Sequence, residues 1–406
     1  MIPKDETFQA IYAYIETLPV FSDHEHHQDD SFFAGKVTLD ALLNKSYVAW
    51  TGYALDGGDD ARRKLLENVR FNSYFTWFEK GLQKLHGLDG PLTMENWHDV
   101  SARIERAYAA DKDYHWRVLP QSGYERLLQD SYWNPGDDCG HPQAFTPSFR
   151  IDKFMYGTHA ESVAPNDFRT WQRYGFDGGS LDDYVEFMMR TIRSRVAAGA
   201  VALKCAEAYN RTVAFEPDDR SAAAAAFGRP VAALSHPELV LFGNYIFNRA
   251  CELAAELDIP FQFHTGLAMI ATSQPMNFEP TIRRHSRTRF VLFHSGFPWT
   301  HQVAGLAHNY PNALPSLTWT ATICTSAALR ALHDYIDVAC SINTITWGSD
   351  CHVSEESVGS LLAWRWIVAT VLAQRLADGR LSLDQAQCLA RKFMYENGRN
   401  VYRCGG

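Results

Sequence analysis

The 406 residues carry a net charge of −9, with 46% apolar and 21% charged side chains. An acidic, core-rich chain of this length suits one large enzyme domain and argues against nucleic acid or an anionic membrane surface as partner. No apolar run reaches the roughly 18 residues that a bilayer span needs. The start, Met1-Ile2-Pro3-Lys4-Asp5-Glu6, lacks the basic and apolar stretches of a signal peptide, so a cytoplasmic location is expected. The eight cysteines (Cys139, Cys205, Cys251, Cys324, Cys340, Cys351, Cys388, Cys404) form no C-x-x-C pair. They read as reduced thiols, mostly filling the core.

Val20 to His24 reads as a first strand, running into Asp23-His24-Glu25-His26-His27. His24 and His26 sit two apart and share one side of an extended segment. Two imidazoles there can grip one divalent metal. Glu25 points the other way and reads as structural. Residues of about 30–120 look helical, with apolar spacing in Tyr74, Phe75, Trp77, Phe78, Leu82 and Leu85. Asn96 is placed to cap a helix through Val100, Ile104 and Ala107. This stretch is expected to cover the site as an insertion. Gly123 to Asp130 and Phe145 to Arg150 read as second and third strands.

From about residue 195 apolar, β-rich runs alternate with helical ones. Strand candidates are Val201 to Lys204, Ile259 to His264, Arg289 to His294, Ala313 to Thr318, and Ile342 to Trp347 leading into Gly348-Ser349-Asp350. Alternation at about 30 residues implies repeated βα units and a parallel sheet. Residues of about 211–237 read as an acidic, then alanine-rich, loop insertion, and Glu355 to Tyr402 as two closing helices.

His24/His26, His264, His294 and Asp350 fall at the C-terminal ends of four predicted strands. In a (β/α)8 barrel those ends converge on one face. Histidine with carboxylate suits zinc, manganese, iron or a similar ion. Thr265-Gly266 and Ser295-Gly296 supply the turns a strand exit needs. Arg150 is placed either to clamp a substrate carboxylate or to form a buried ion pair, and Arg211 invites the same two readings. His352 and Glu355, just after Asp350, are expected to orient the site.

These motifs resemble the amidohydrolase superfamily. The resemblance is stronger to its amidohydrolase-related (amidohydrolase 2) branch, which includes the amidohydrolase-like domain of glutamine-synthetase fusion proteins. Leu203-Lys204-Cys205-Ala206-Glu207-Ala208-Tyr209-Asn210-Arg211 is similar to that group's fourth-strand segment. Phe261-Gln262-Phe263-His264-Thr265-Gly266, Phe293-His294-Ser295-Gly296-Phe297-Pro298-Trp299 and Gly348-Ser349-Asp350 are similar to its fifth, sixth and eighth. The helical insertion, with Phe75-Thr76-Trp77-Phe78 and Gly81-Leu82, also resembles uronate isomerases.

The resemblance implies a distorted TIM (β/α)8 barrel of the α/β class with a large helical insertion after strand 1. It makes residues 1–406 one metal-dependent barrel. It implies a metal shell of His24, His26, His264 and Asp350, with His294 as an acid/base or, in a two-metal site, a ligand. One ion, zinc first, is expected, leaving Lys204, Arg150 and Arg211 to bind substrate. Two ions would follow if Lys204 were carbamylated, which needs a neutral amine and so a buried one. The implied activity is hydrolysis of a small organic acid amide, ester or lactone by metal-activated water, with Asp350 and His294 moving the proton. A non-oxidative decarboxylase is the alternative. A uronate-isomerase-like enzyme ranks below both, because the arginine-rich tail of that group is missing. A small-molecule substrate and, by analogy, a homo-oligomer complete the expectation.

Overall fold

The computed structural model describes residues 6–404. Met1 to Asp5, part of the start read as lacking a signal peptide, lie outside them. Seven strands follow in chain order: β1 Val20–Glu25, β2 Tyr124–Gln129, β3 Phe145–Pro147 with its continuation Phe149–Arg150, β4 Leu203–Cys205, β5 Phe261–His264, β6 Phe290–Phe293 and β7 Ala313–Pro315. Every pairing between neighbours is parallel. β5, β6 and β7 are buried along their whole length. β6 and β7 accordingly read as unbroken apolar runs, since helices cover one face of a parallel sheet and the barrel interior the other, whereas β5 alternates Phe261 and Phe263 with the buried polar Gln262 and His264.

At Ser148 the third strand changes partner. Ser148 N donates to Gln129 O (2.8 Å), and Phe149 N donates to Ala202 O (2.8 Å). The eighth position is an irregular segment, 345–350, in which only Thr346 forms a regular bridge. Its backbone still closes the ring. Thr346 N donates to Pro315 O (3.1 Å) on one side, while Asp23 N donates to Trp347 O (3.0 Å) and Asp350 N to His24 O (2.8 Å) on the other. Ile342–Thr344, expected as strand, forms a 3-10 turn instead. Ser341 Oγ accepts from Asn343 N (3.2 Å), a local bond that competes with the ladder.

Phe21, Leu128, Ala202, Val291, Phe293 and Leu314 form one cluster with Val401 and Tyr402. Side chains from four strands, and from Ala202 just before β4, meet there, so the barrel interior is a packed core. Between β1 and β2 lie six helices, the longest being Ser73–His86 and Trp97–Ala110. They carry a second core, including Leu42, Phe75, Phe78, Leu82, Trp97, Val100 and Ile104. Asn96 is the N-cap position of Trp97–Ala110, but its side chain makes no cap bond; it accepts from Thr93 N (2.8 Å) instead.

The insertion leans on the 24-residue helix Ser354–Ala377 through a pair of glycines. A Cβ on Gly81 would meet Glu355 O at 2.0 Å, and one on Gly359 would meet Trp77 O at 2.1 Å. Backbone therefore approaches backbone, which only glycine permits.

The stretch 211–237 is not wholly loop: Arg220–Ala226 is helical, with Asp219 accepting from Ala222 N (2.9 Å). An alanine run behind an aspartate cap is a strong helix former. The final segment is Ser354–Ala377, then Leu383–Arg391 continuing through a π turn into Asn397–Tyr402. All eight cysteines are free, but only Cys139, Cys205, Cys251 and Cys351 are buried.

Candidate metal centre

β1 delivers His24 and His26, and its alternation turns Glu25 away from them. Glu25 accepts from Ser22 Oγ (2.5 Å), Cys351 N (3.1 Å), Ser357 Oγ (3.4 Å) and Ser349 Oγ. It thus ties β1 to the eighth segment and to the helix beyond. Burial pushes its carboxyl up to about 7 against the pull of those donors.

Asp350 sits where the eighth segment leaves the barrel, at φ 62°. Its Oδ1 lies 3.2 Å from His26 Nε2 and 3.5 Å from His24 Nε2, and its Oδ2 3.7 Å from His294 Nδ1. His26 Nδ1 lies 2.7 Å from Asp130 O. A carbonyl only accepts, so Nδ1 carries the proton and Nε2 presents its lone pair. Burial keeps His24 well below the usual imidazole range and brings His26 down to about 3. Yet His24 Nδ1 and Nε2 and Asp350 Oδ1 are buried without a hydrogen-bond partner. Lone pairs and a carboxylate oxygen crowded together repel unless a cation sits among them. The donor set, imidazole with carboxylate, fits a divalent ion.

The structure adds a carboxylate that the sequence reading passed over. Asp130, just after β2, is fully buried, and its Oδ2 is 3.7 Å from His24 Nε2. His24, His26 and Asp130 place three ligand atoms within 4.8 Å of one another. Burial alone would raise the Asp130 carboxyl, but Arg150 and His26 beside it hold it below the usual range. Its signal was available: like Asp350, it is an aspartate closing a predicted strand.

Arg150 is the ion-pair partner of Asp130. Its Nε donates to Asp130 Oδ2 (3.0 Å), as does Nη2, and Nη1 is 3.7 Å from Asp152. Lys204 is buried at β4 with Nζ 4.1 Å from the Phe293 ring centre. Burial, with Arg150 nearby, brings its ammonium down to about 8.

His294, at φ 63° after β6, places Nε2 2.9 Å from His264 Nδ1 and Nδ1 3.2 Å from Thr318 O. His264 Nε2 is 2.8 Å from Leu267 O. These three contacts each need one proton, and two neutral imidazoles hold only two. Burial keeps both imidazoles well below the usual range, so one of the three contacts is made without a hydrogen and leaves a lone pair to turn elsewhere. His264 meets His294 rather than the His24, His26 and Asp130 group.

The insertion supplies a roof. The Tyr47 ring is 4.4 Å from that of Trp319 and 5.1 Å from His352, and Trp319 is 5.2 Å from His294. Tyr74 stacks on Trp319 at 6.2 Å. His352 lies 5.5 Å from His26. Glu355 does not orient this site: it accepts from His86 Nε2 (2.8 Å) and Tyr108 Oη (3.2 Å) within the insertion. Glu356 takes that place, accepting from His352 N (3.0 Å) and Tyr47 N (2.6 Å). Successive helical residues point about 100° apart, which separates the two carboxylates.

Arg211 lies elsewhere. Its Nη2 donates to Asn244 Oδ1 (2.5 Å) and Nη1 to Val240 O (3.2 Å). It lines a cavity of about 660 Å³ with Tyr156, Glu207, Asn210 and His236, and none of His24, His26, Asp130, His294 and Asp350 lines it.

A closed parallel ring with histidines and aspartates at its C-terminal edge defines a (β/α)8 enzyme of the metal-dependent hydrolase type. A family model described as amidohydrolase matches residues 169–404, more than half of the chain. The chain belongs to the amidohydrolase family. Protein fluG of Emericella nidulans is 25% identical over 149 residues, which is 35% of this chain and 17% of that protein. The chain thus matches a minor part of this relative's length. Uronate isomerase from Thermotoga maritima superposes over 98% of both chains with a TM-score of 0.80 at 14% identity. A protein of Lactobacillus casei described as a metal-dependent hydrolase does so over 97% of both, with a TM-score of 0.72 at 15% identity. At such identities the likeness establishes the fold, a barrel with its insertion.

Proposed function

We propose that the chain is a metal-dependent hydrolase acting on an amide, ester or lactone of a small organic acid. One divalent ion, zinc first, would be held by His24, His26 and Asp350, with Asp130 adjoining and His264 reached through His294. The observation that carries this reading is the buried, unpartnered Asp350 Oδ1 facing two neutral imidazoles. When bound, such an ion supplies Lewis acidity, which polarises a carbonyl and acidifies water.

The chain's own groups do the rest. Asp350 Oδ2, 3.7 Å from His294 Nδ1, accepts a proton, and His294 passes it towards the leaving group. Lys204 is the buried cation left to meet a substrate carboxylate, because Arg150 is committed to Asp130. Arg211 would serve only a substrate that reaches the separate cavity. Tyr47, Tyr74 and Trp319 exclude water above the site and so strengthen each electrostatic contact.

A second reading, isomerisation of a uronate, is favoured by one observation: the superposition on the Thermotoga maritima uronate isomerase includes the helical insertion. The same Asp350 and His294 would then move a proton within the substrate and consume no water. A panel of lactones, amides and uronates incubated in heavy-oxygen water separates the two. Hydrolysis places the label in the product carboxylate. A ketose formed from a uronate, with no label in the carboxylate of any product of the panel, would overturn the first reading in favour of the second. Released carbon dioxide would point to decarboxylation.

A further inference from the structure

A second set of ligand atoms meets away from the centre just described. Asp30 opens the short helix Asp30–Phe33, His115 lies in the helix Tyr114–Gln121, and His141 in the connection after β2. Asp30 Oδ1 is 3.0 Å from His115 Nε2 and 2.7 Å from His141 Nε2, and the three ligand atoms lie within 4.8 Å of one another.

We infer that Asp30, His115 and His141 form a second divalent-cation site, suited to zinc or another first-row transition ion and separate from the one at His24, His26 and Asp350. Four features support it. Two donors held about 2.0–2.1 Å from one tetrahedral zinc lie roughly 3.3 Å apart, so a small outward shift of this cluster admits the ion. The His115 side chain is fully buried, and its Nε2 has no aligned hydrogen-bond partner although it faces Asp30. A buried imidazole nitrogen 3.0 Å from a carboxylate oxygen yet poorly aligned with it is placed to share an ion with that oxygen. Third, the opposite nitrogen is held: His115 Nδ1 is 3.2 Å from His27 Nε2, the kind of outer contact that sets the tautomer of a ligating histidine. Fourth, the rings are fixed by packing, His115 on Phe33 at 4.2 Å and His141 on Trp116 at 5.0 Å.

Asp30 is 68% exposed, so the fourth position opens to solvent. The three ligands come from three segments of the chain, two in the insertion and one after β2. The ion would therefore staple the insertion to the barrel, a structural role with no substrate attached.

The test uses the full chain, stripped with a chelator, reloaded with zinc and freed of excess by gel filtration. Elemental analysis should find one more equivalent in the wild type than in Asp30→Asn or His141→Ala. Cobalt in place of zinc should give a tetrahedral visible band that these variants diminish. His26→Ala should lose a different equivalent, and Asp30→Asn combined with His26→Ala should lose both. This arithmetic separates the site from any second ion bridged by Lys204. Competition against a chelating dye should show the remote equivalent weakened by at least about tenfold in either variant. Asp30 is at the surface, so Asp30→Asn keeps the test sound if His141→Ala folds poorly. Equal zinc content and equal cobalt spectra in wild type and Asp30→Asn would overturn the inference. So would loss of the equivalent in His26→Ala alone.

Discussion

At the scale of single residues the site depends on charges that have few partners. Asp350→Asn removes the carboxylate that faces two imidazoles and His294. We expect kcat/KM to fall by about 10²–10³ or more, with loss of metal on elemental analysis. An unchanged rate in a well-folded variant would remove Asp350 from the chemistry. Arg150 makes a different prediction. Its loss leaves Asp130 buried and unpaired, so Arg150→Gln should destabilise the fold by about 3–5 kcal/mol in urea unfolding, and Asp130→Asn in the same chain should recover part of it. A clamp on substrate would raise KM and leave stability alone.

His285 offers a pH test remote from the centre. It is held by Asn248 Oδ1 (2.6 Å), and burial, with Arg284 close by, brings its imidazole down to about 4. The folded value is depressed below the unfolded one near 6.5. Its contribution is therefore fully present above pH 6.5 and is lost as pH falls towards 4. Melting curves across that window should show a smaller acid loss in His285→Gln than in the wild type; parallel curves would contradict the shift.

The ligand types were legible at this scale because histidine and aspartate at strand ends are chemically conspicuous. Asp130 was equally conspicuous in type, but its place 3.7 Å from His24 Nε2 exists only once the strands stand side by side. His115 and His141 lie far apart in the chain and show no spacing at all.

Elements decide how the site is covered. The crossing of Ser73–His86 with Ser354–Ala377 depends on Gly81 and Gly359, where a Cβ would strike backbone oxygen at 2.0 and 2.1 Å. Gly359→Ala should cost about 1–3 kcal/mol or more, since the atom it meets cannot swing away. Gly305, in the helix Thr300–Asn309, has nothing within 4 Å of its Cβ position. There alanine should stabilise by about 0.8–1 kcal/mol through helix propensity. Differential scanning calorimetry of the two variants checks both signs. Helix periodicity announced both long insertion helices, because apolar spacing survives translation into a buried face. The 3-10 turn at Ile342–Thr344 was missed, because a β-rich composition outweighed one serine side chain bonding to backbone.

For the whole molecule, the proposed metal centre predicts a linkage between metal and fold. A cation at the proposed centre would fill a group of lone pairs that the unfolded chain does not hold together, so its binding would stabilise only the folded state. Chelation should lower the thermal midpoint and zinc should restore it, with a gain of about 2.7 kcal/mol at a hundredfold excess over Kd. His26→Ala should shrink that gain. No change in midpoint on chelation of a metal-loaded sample would separate the ion from the fold.

Read as a linear chain, these residues specify a parallel barrel, a helical insertion and the chemistry of the strand ends. Those features are local: periodicity, turn residues and donor types are written within a few positions of one another. Partnership is not local. Whether Arg150 pairs with Asp130, whether Glu355 or Glu356 supports His352, and whether His264 lies against His294 depend on side chains from separate elements. Those contacts exist only once the ring closes, and burial then sets the charge each group can carry.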